Sequence, residues 1–211
     1  MALSCKLSFQ GTVLAVQPRI RLMRSFDERN HTYLGFVLRI EGTVGATAGV
    51  FAAGIGKAAQ EKHAFRAGDV VCGHCVPVAD PRTEPVGYYK VSGLKLLGRG
   101  PEAGNVPPPW LGVPPALPTY RQRGHRRLAK VTYDTKCSTC LWGCLMPVEI
   151  IVDHWNPSVK QYRFETFCYG PKSCPLYKSG PTRNVPGRKG MTWEEEDWVD
   201  EDAVAHREEN E

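Results

Sequence analysis

Apolar and polar residues alternate with a period of two through most of the first hundred positions, the period of a strand with one buried face. Leu7 to Leu22 sets Leu7, Phe9, Gly11, Val13 and Ala15 on one side, and Tyr33 to Ile40 and Gly49 to Ile55 are two further apolar runs. Lys57-Ala-Ala-Gln-Glu-Lys-His-Ala-Phe65 breaks that rhythm with good helix formers and predicts a helix of two turns. Phe65-Arg-Ala-Gly-Asp-Val-Val71 reads as a turn entering a strand, and Tyr88 to Leu97 as a last strand. The predicted order is three strands, a short helix and two strands.

That order, over residues 6–100, resembles the OB-fold, a five-stranded barrel that binds oligonucleotides or sugars on its exposed face. A small β-barrel of another topology is the competing fold, and neither assignment fixes a function. The next stretch, Pro101 to Pro118, holds seven prolines in eighteen positions and predicts an extended connector, since proline lacks the donor that helix and sheet interiors require. Trp110 and Leu111 are apolar enough for the connector to lie against a domain surface.

Beyond the connector, Met146 to Trp155 is rich in β-branched residues, Asn156-Pro-Ser158 is a turn signal, and Val159 to Phe167 alternates again, which predicts a β-hairpin. The expected fold is therefore mostly β: an OB-like barrel over 1–100, a proline-rich linker over 101–118, a cysteine-rich hairpin module over 119–192 and an acidic tail over 193–211.

Five cysteines stand in that module, as Cys137-x2-Cys140-x3-Cys144 and Cys168-x5-Cys174. Short spacers let thiolates converge on a soft metal, and the hairpin brings both cysteine turns to one end, an arrangement that resembles a zinc ribbon. A four-thiolate zinc at Cys137, Cys140, Cys168 and Cys174 would leave Cys144 over. The Cys137, Cys140, Cys144 triplet with a distant fourth thiol also suits a 4Fe-4S cluster, and Pro175 after Cys174 echoes the ending of ferredoxin motifs. Unligated thiols are the remaining alternative. Cys72-Gly-His-Cys75 has the letters of a redox motif, but it lies in an apolar strand pattern with no helix after it, so buried strand cysteines are expected there.

Charge divides the chain unevenly. Glu194 to Glu211 carries ten acids and one base, while residues 1–193 carry twenty-six bases and twelve acids. A body so basic favours a polyanion such as RNA, or an acidic protein surface within a larger complex. Arg121, Arg123, Arg126, Arg127 and Lys130 form one candidate nucleic-acid cluster, Arg183, Arg188 and Lys189 a second, and Arg19, Arg21, Arg24 and Arg29 a further basic run. Tyr33, Phe36, Tyr88 and Tyr89 are candidate stacking faces, and Trp193 and Trp198 are expected to dock the tail, whose charge would cover the basic surface.

Catalytic signatures are missing: there is no serine elbow, phosphate-binding glycine loop or HExxH helix, and alternation sets Glu149 and Asp153 on the opposite strand face from His154. The opening residues do not build a secretory run, and no stretch reaches the ~20 apolar residues needed to span a bilayer, so a cytoplasmic protein with reduced or metal-bound thiols is expected. The function these observations point to is non-catalytic nucleic-acid binding, RNA ahead of DNA, with a structural zinc. An iron–sulfur protein of electron transfer or a metalloenzyme subunit, and a metal-stabilised protein-interaction adaptor, are the alternatives.

Overall fold

A computed structural model describes residues 6–101, 108–195 and 198–208. The chain is mostly β. Strand β1 (Leu7–Arg24) runs into β2 (Arg29–Val44) and β3 (Thr47–Ile55), helix α1 (Lys57–His63) follows, and β4 (Val70–Pro77) and β5 (Tyr88–Gly98) complete the first half. The predicted order of elements is present, with β1 and β2 longer than their alternation suggested.

The five strands close into a ring. β1 pairs antiparallel with β2 and with β4, β2 with β3, and β4 with β5, while a single parallel bridge between Ala53 and Tyr88 joins β3 to β5. Phe9, Val13, Leu38, Ile40, Ile55, Phe65 and Val71 are buried in the core of this half. Where β1 crosses β2 the backbones nearly touch: a Cβ on Gly42 would lie 2.1 Å from the Gln10 carbonyl oxygen and 2.5 Å from the Gly11 Cα. Only glycine fits at such a crossing.

The second half does not stand apart. After the connector come α2 (Leu117–Arg123), the short β6 (Arg126–Arg127), a helical turn α3 (Lys130–Thr132) that widens into a π-turn over Tyr133–Cys137, and the hairpin β7 (Gly143–Ile151) and β8 (Lys160–Cys168). The far end of β1 pairs parallel with β7, at Leu22–Val148, Met23–Glu149 and Arg24–Ile150, so one eight-stranded sheet runs β2-β3-β5-β4-β1-β7-β8-β6. One core is shared: Leu22 and Phe36 belong to the same buried cluster as Met146, Val148, Phe167 and Tyr120.

That placement explains why β1 loses its alternation midway. Ala15, Val16, Gln17 and Pro18 are all buried in succession, because the strand there is covered on both faces. Register shifts between Val13 and Ala15 and between Arg19 and Ile20 bend it from the ring toward the hairpin.

The proline-rich connector was expected over 101–118, and its residues 102–107 lie outside the described positions. Trp110 packs against the cysteine turns, and its carbonyl accepts from the Leu141 amide at 2.9 Å. The tail folds back as well. β9 (Arg183–Pro186) pairs with β10 (Thr192–Glu195), Trp193 stacks on Phe26 at 4.5 Å between centroids, and α4 (Trp198–Val204) packs beside β6. The Trp198 side chain lies outside what is described. Among the described residues no helix is long and apolar enough to cross a membrane.

Candidate metal centre and basic groove

The hairpin brings the two cysteine turns to one end. Cys137 closes the π-turn, Cys140 follows on a tight turn whose amide donates to the Cys137 carbonyl at 3.1 Å, and Gly143 opens β7 by donating to the Cys140 carbonyl at 3.0 Å. Gly143 pairs with Cys168 at the end of β8, and past it the Cys174 amide donates to the Pro171 carbonyl in another tight turn.

Cys137, Cys140, Cys168 and Cys174 line one cavity of about 10 Å³, with Trp110, Trp142 and Tyr177 around it. Room of that size suits one water-sized occupant. As placed, no group of three or more Cys, His, Asp or Glu side chains is drawn together tightly enough to hold an ion among the described residues. The four thiols therefore share a cavity without forming a coordination shell.

Cys144 stands elsewhere. It is fully buried in the main core, and its thiol lies 3.6 Å from the Pro18 carbonyl. Alternation along β7 puts Cys144 in step with Met146, Val148 and Ile150, all buried, and so on the core side of the strand. Burial pushes its thiol up to about 12. Burial also lifts Cys137 to about 12 and Cys140 to about 11, and the neighbouring thiols of the cavity push Cys137 in the same direction. The buried Cys137 and Cys140 thiols therefore resist ionising unless a cation enters between them and their neighbours.

No protein-family model, curated protein or solved structure matches this chain. Its chemistry has to be read from its own residues.

One residue that the sequence reading passed over holds the cysteine turn in place. Gln17, buried in β1, donates from Nε2 to the carbonyls of Cys137 at 3.0 Å and Cys140 at 2.7 Å, and its Oε1 accepts from the Tyr133 hydroxyl at 2.8 Å. A glutamine at an apolar-facing position of β1 was the available signal, because a buried amide needs partners for both ends.

Of the candidate basic residues, Arg123 and Arg126 lie at this end while Arg188 lies at the turn of the hairpin, and most are already engaged. Arg121 lies over Tyr33 with its guanidinium carbon 4.9 Å from the ring centre; Arg123 donates to the Tyr169 carbonyl at 2.8 Å and covers Trp142. Arg126 donates to the Pro171 carbonyl at 2.8 Å and stacks 3.8 Å over Tyr177, Arg127 is buried, and Lys130 pairs with Asp134 at 2.6 Å. Arg183 pairs with Glu165 at 2.8 Å and covers Phe167; Arg188 faces Trp155 and Asp153; Lys189 is exposed. Of the further basic run, Arg19 and Arg21 both grip Glu84, the first through two bonds of 2.9 and 2.7 Å.

Arg126, Arg127, Lys172 and Tyr177 wall an open cleft of about 520 Å³, and Glu201 and Val204 of α4 lie at its edge. Below it the tail's Glu195 is clasped by Arg24 at 2.9 Å and Arg29 at 2.6 Å. These guanidiniums, with Arg183 beyond, outweigh burial and hold the Glu195 carboxyl below its usual range. Arg207, also buried, donates to the Gly170 carbonyl at 2.7 Å and anchors the tail beside the cysteine turns.

The remaining polar motifs do not converge. Glu149 pairs with Lys160 at 2.6 Å, Asp153 faces Arg188, and His154 faces Asp27 at 3.3 Å. Cys72 and Cys75 lie in β4, where three residues of extended chain span ~10 Å and put odd neighbours on opposite faces. Tyr88 is half-buried against the core with Leu94 and Leu96.

Proposed function

We propose that this chain is a non-catalytic RNA-binding protein in which an OB-like barrel and a zinc-clasped hairpin share one core. The pairing order β1-β2-β3-β5-β4, closed by β4 on β1, is the order an OB barrel uses, with the helix between the third and fourth strands. The observation that carries the binding proposal is the position of the acidic tail. Glu195 sits between Arg24 and Arg29, and Glu201 borders the cleft walled by Arg126, Arg127 and Lys172. The body thus receives a carboxylate-rich strand where a phosphate-rich one would be received, by the same charge-assisted bonds.

Two features favour zinc over an iron–sulfur cluster. Cys144 faces the core away from the other four thiols, which leaves a four-thiolate set and breaks the Cys137, Cys140, Cys144 triplet. The cavity of about 10 Å³ suits a single ion, and a cubane of eight atoms would require the turns to part. Zinc would draw the thiols inward as they ionise, closing the site as a structural clasp.

Metal analysis and a salt-dependent gel-shift assay test the two parts separately. One zinc per chain in a colourless protein is the expected metal result; iron and sulfide would overturn it. Glu194, Glu201 and Asp202 are exposed, so neutralising them together to glutamine, glutamine and asparagine leaves the core intact. That variant is expected to bind short single-stranded RNA several-fold more tightly at low salt, with a steeper dependence on salt. Absence of RNA binding at low salt in both proteins would overturn the proposal and favour the adaptor.

A further inference from the structure

The tail meets the body through two side chains on one face of β10. Alternation turns Trp193 and Glu195 inward and leaves Thr192 and Glu194 exposed. Trp193 lies on Phe26, with ring centres 4.5 Å apart and planes 24° apart, and Glu195, two residues on, is gripped by Arg24 and Arg29. An aromatic plane followed by an anion along an extended chain is the pattern that a single strand of RNA repeats at every nucleotide.

The receiving side is built without the tail. Phe26 is carried on the tight turn between β1 and β2, where the Ser25 amide donates to the Glu28 carbonyl at 2.9 Å and the Glu28 amide to Ser25 Oγ at 3.2 Å. Asp27 beside it is engaged by Ser25 and His154. Phe26 stays 47% exposed even with Trp193 on it, so its ring is presented to solvent and not to the core. Around the anion, Arg24, Arg29, Arg163 and Arg183 share two carboxylates, Glu165 and Glu195, among the described residues. Without Glu195 four guanidiniums would face one carboxylate, so whatever replaces it must be anionic. The tail strand is also loosely held. Among the described residues β10 pairs only with β9, in a ribbon apart from the eight-stranded sheet, and a two-stranded ribbon is marginally stable alone.

We infer that Phe26 is a base-stacking platform and Arg24 with Arg29 a phosphate clamp, and that Trp193 and Glu195 of the tail hold both places in cis until single-stranded RNA displaces them. An open cleft of about 300 Å³ beside Trp193, walled by Phe26, Arg29 and Val185, gives the strand its point of entry. The inference rests on the RNA-binding reading and adds to it the residues that hold one nucleotide and the device that competes for them.

Fluorescence anisotropy of a labelled short single-stranded RNA at low salt, titrated with the full chain and its variants, tests it. Neither Phe26 nor Trp193 belongs to the shared core, so substitutions there spare the body. Trp193→Ala frees the platform and should tighten RNA binding by about tenfold. Adding Phe26→Ala to that variant should lose about tenfold again, whereas adding Phe26→Tyr, which keeps the ring, should not. A phenylalanine that only seats the tail predicts otherwise: Phe26→Ala alone would tighten binding, and the double variant would bind like Trp193→Ala. That pattern, or RNA binding that Trp193→Ala leaves unchanged, would overturn the inference and leave RNA binding standing. RNA refused by every variant would overturn both readings, and uptake of a peptide of residues 191–202 by Trp193→Ala in that case would make the groove a peptide site.

Discussion

Gln17 is a single amide on which three buried polar groups depend: the carbonyls of Cys137 and Cys140 and the Tyr133 hydroxyl. Gln17→Leu keeps the volume and removes every bond. The expected cost is about 2 kcal/mol of unfolding free energy by urea titration, since the buried Tyr133 hydroxyl is left without its partner while the Cys137 and Cys140 carbonyls keep only their backbone amide donors. A loss under about 1 kcal/mol would mean that water replaces the amide. The cysteines carry a companion prediction. Cys144→Ala should keep full zinc content by native mass spectrometry, whereas Cys174→Ser should lower it, because only Cys174 lines the shared cavity. The spacing of the five cysteines already implied two turns at one end of a hairpin. The spacing left open which thiol stands apart, since Cys144 also completes a triplet with Cys137 and Cys140; the unused signal was the period-two series Cys144, Met146, Val148 and Ile150.

At the scale of elements, the strand order was readable because each strand of the ring has one face in the core and so alternates. The helix was readable from propensity, with Lys57–His63 ending at Ala64 in the left-handed region. Less legible was β1, whose pattern fails at Ala15 to Pro18 where both faces are covered, and alternation carries no signal for a doubly buried strand. The crossing of β1 and β2 gives a test of the ring. Gly42→Ala places a methyl against the backbone of Gln10 and Gly11, which has no flexible end to move, and should cost about 2 kcal/mol or more. Gly87→Ala meets nothing within 4 Å and should be close to neutral, so equal effects at the two positions would refute the account.

The joint between the halves was not legible at all, because its contacts link residues more than a hundred positions apart and follow no local period. Its parallel register, its shared core and its ionic cluster appear only when β1 reaches β7. Two histidines lie inside that joint: His31 of β2 and His125, just before β6, have ring centres 4.8 Å apart. Burial, reinforced by Arg29 and Arg24, holds His31 down to about 4, with Glu195 pulling weakly the other way. Burial also holds His125 well below the usual histidine range, and His31, Arg183, Arg29 and Arg24 add to the effect. Both rings are therefore neutral in the folded chain at pH values where an unfolded histidine, titrating near 6.5, already takes a proton. Below that value the unfolded state binds more protons, and folding stability falls as pH drops from 6.5 toward 4. The Glu195 carboxyl that faces the joint is held below its usual range, so it is not yet protonated in the upper part of that window and the slope there belongs to the histidines. Each contributes at most about 1.4 kcal/mol per pH unit. Urea titrations at pH 7, 6 and 5 should show stability falling, and His31→Gln should flatten the fall by about half. An unchanged slope in that variant would place the acid sensitivity outside the joint and remove the histidine pair from the account of how the two halves hold together.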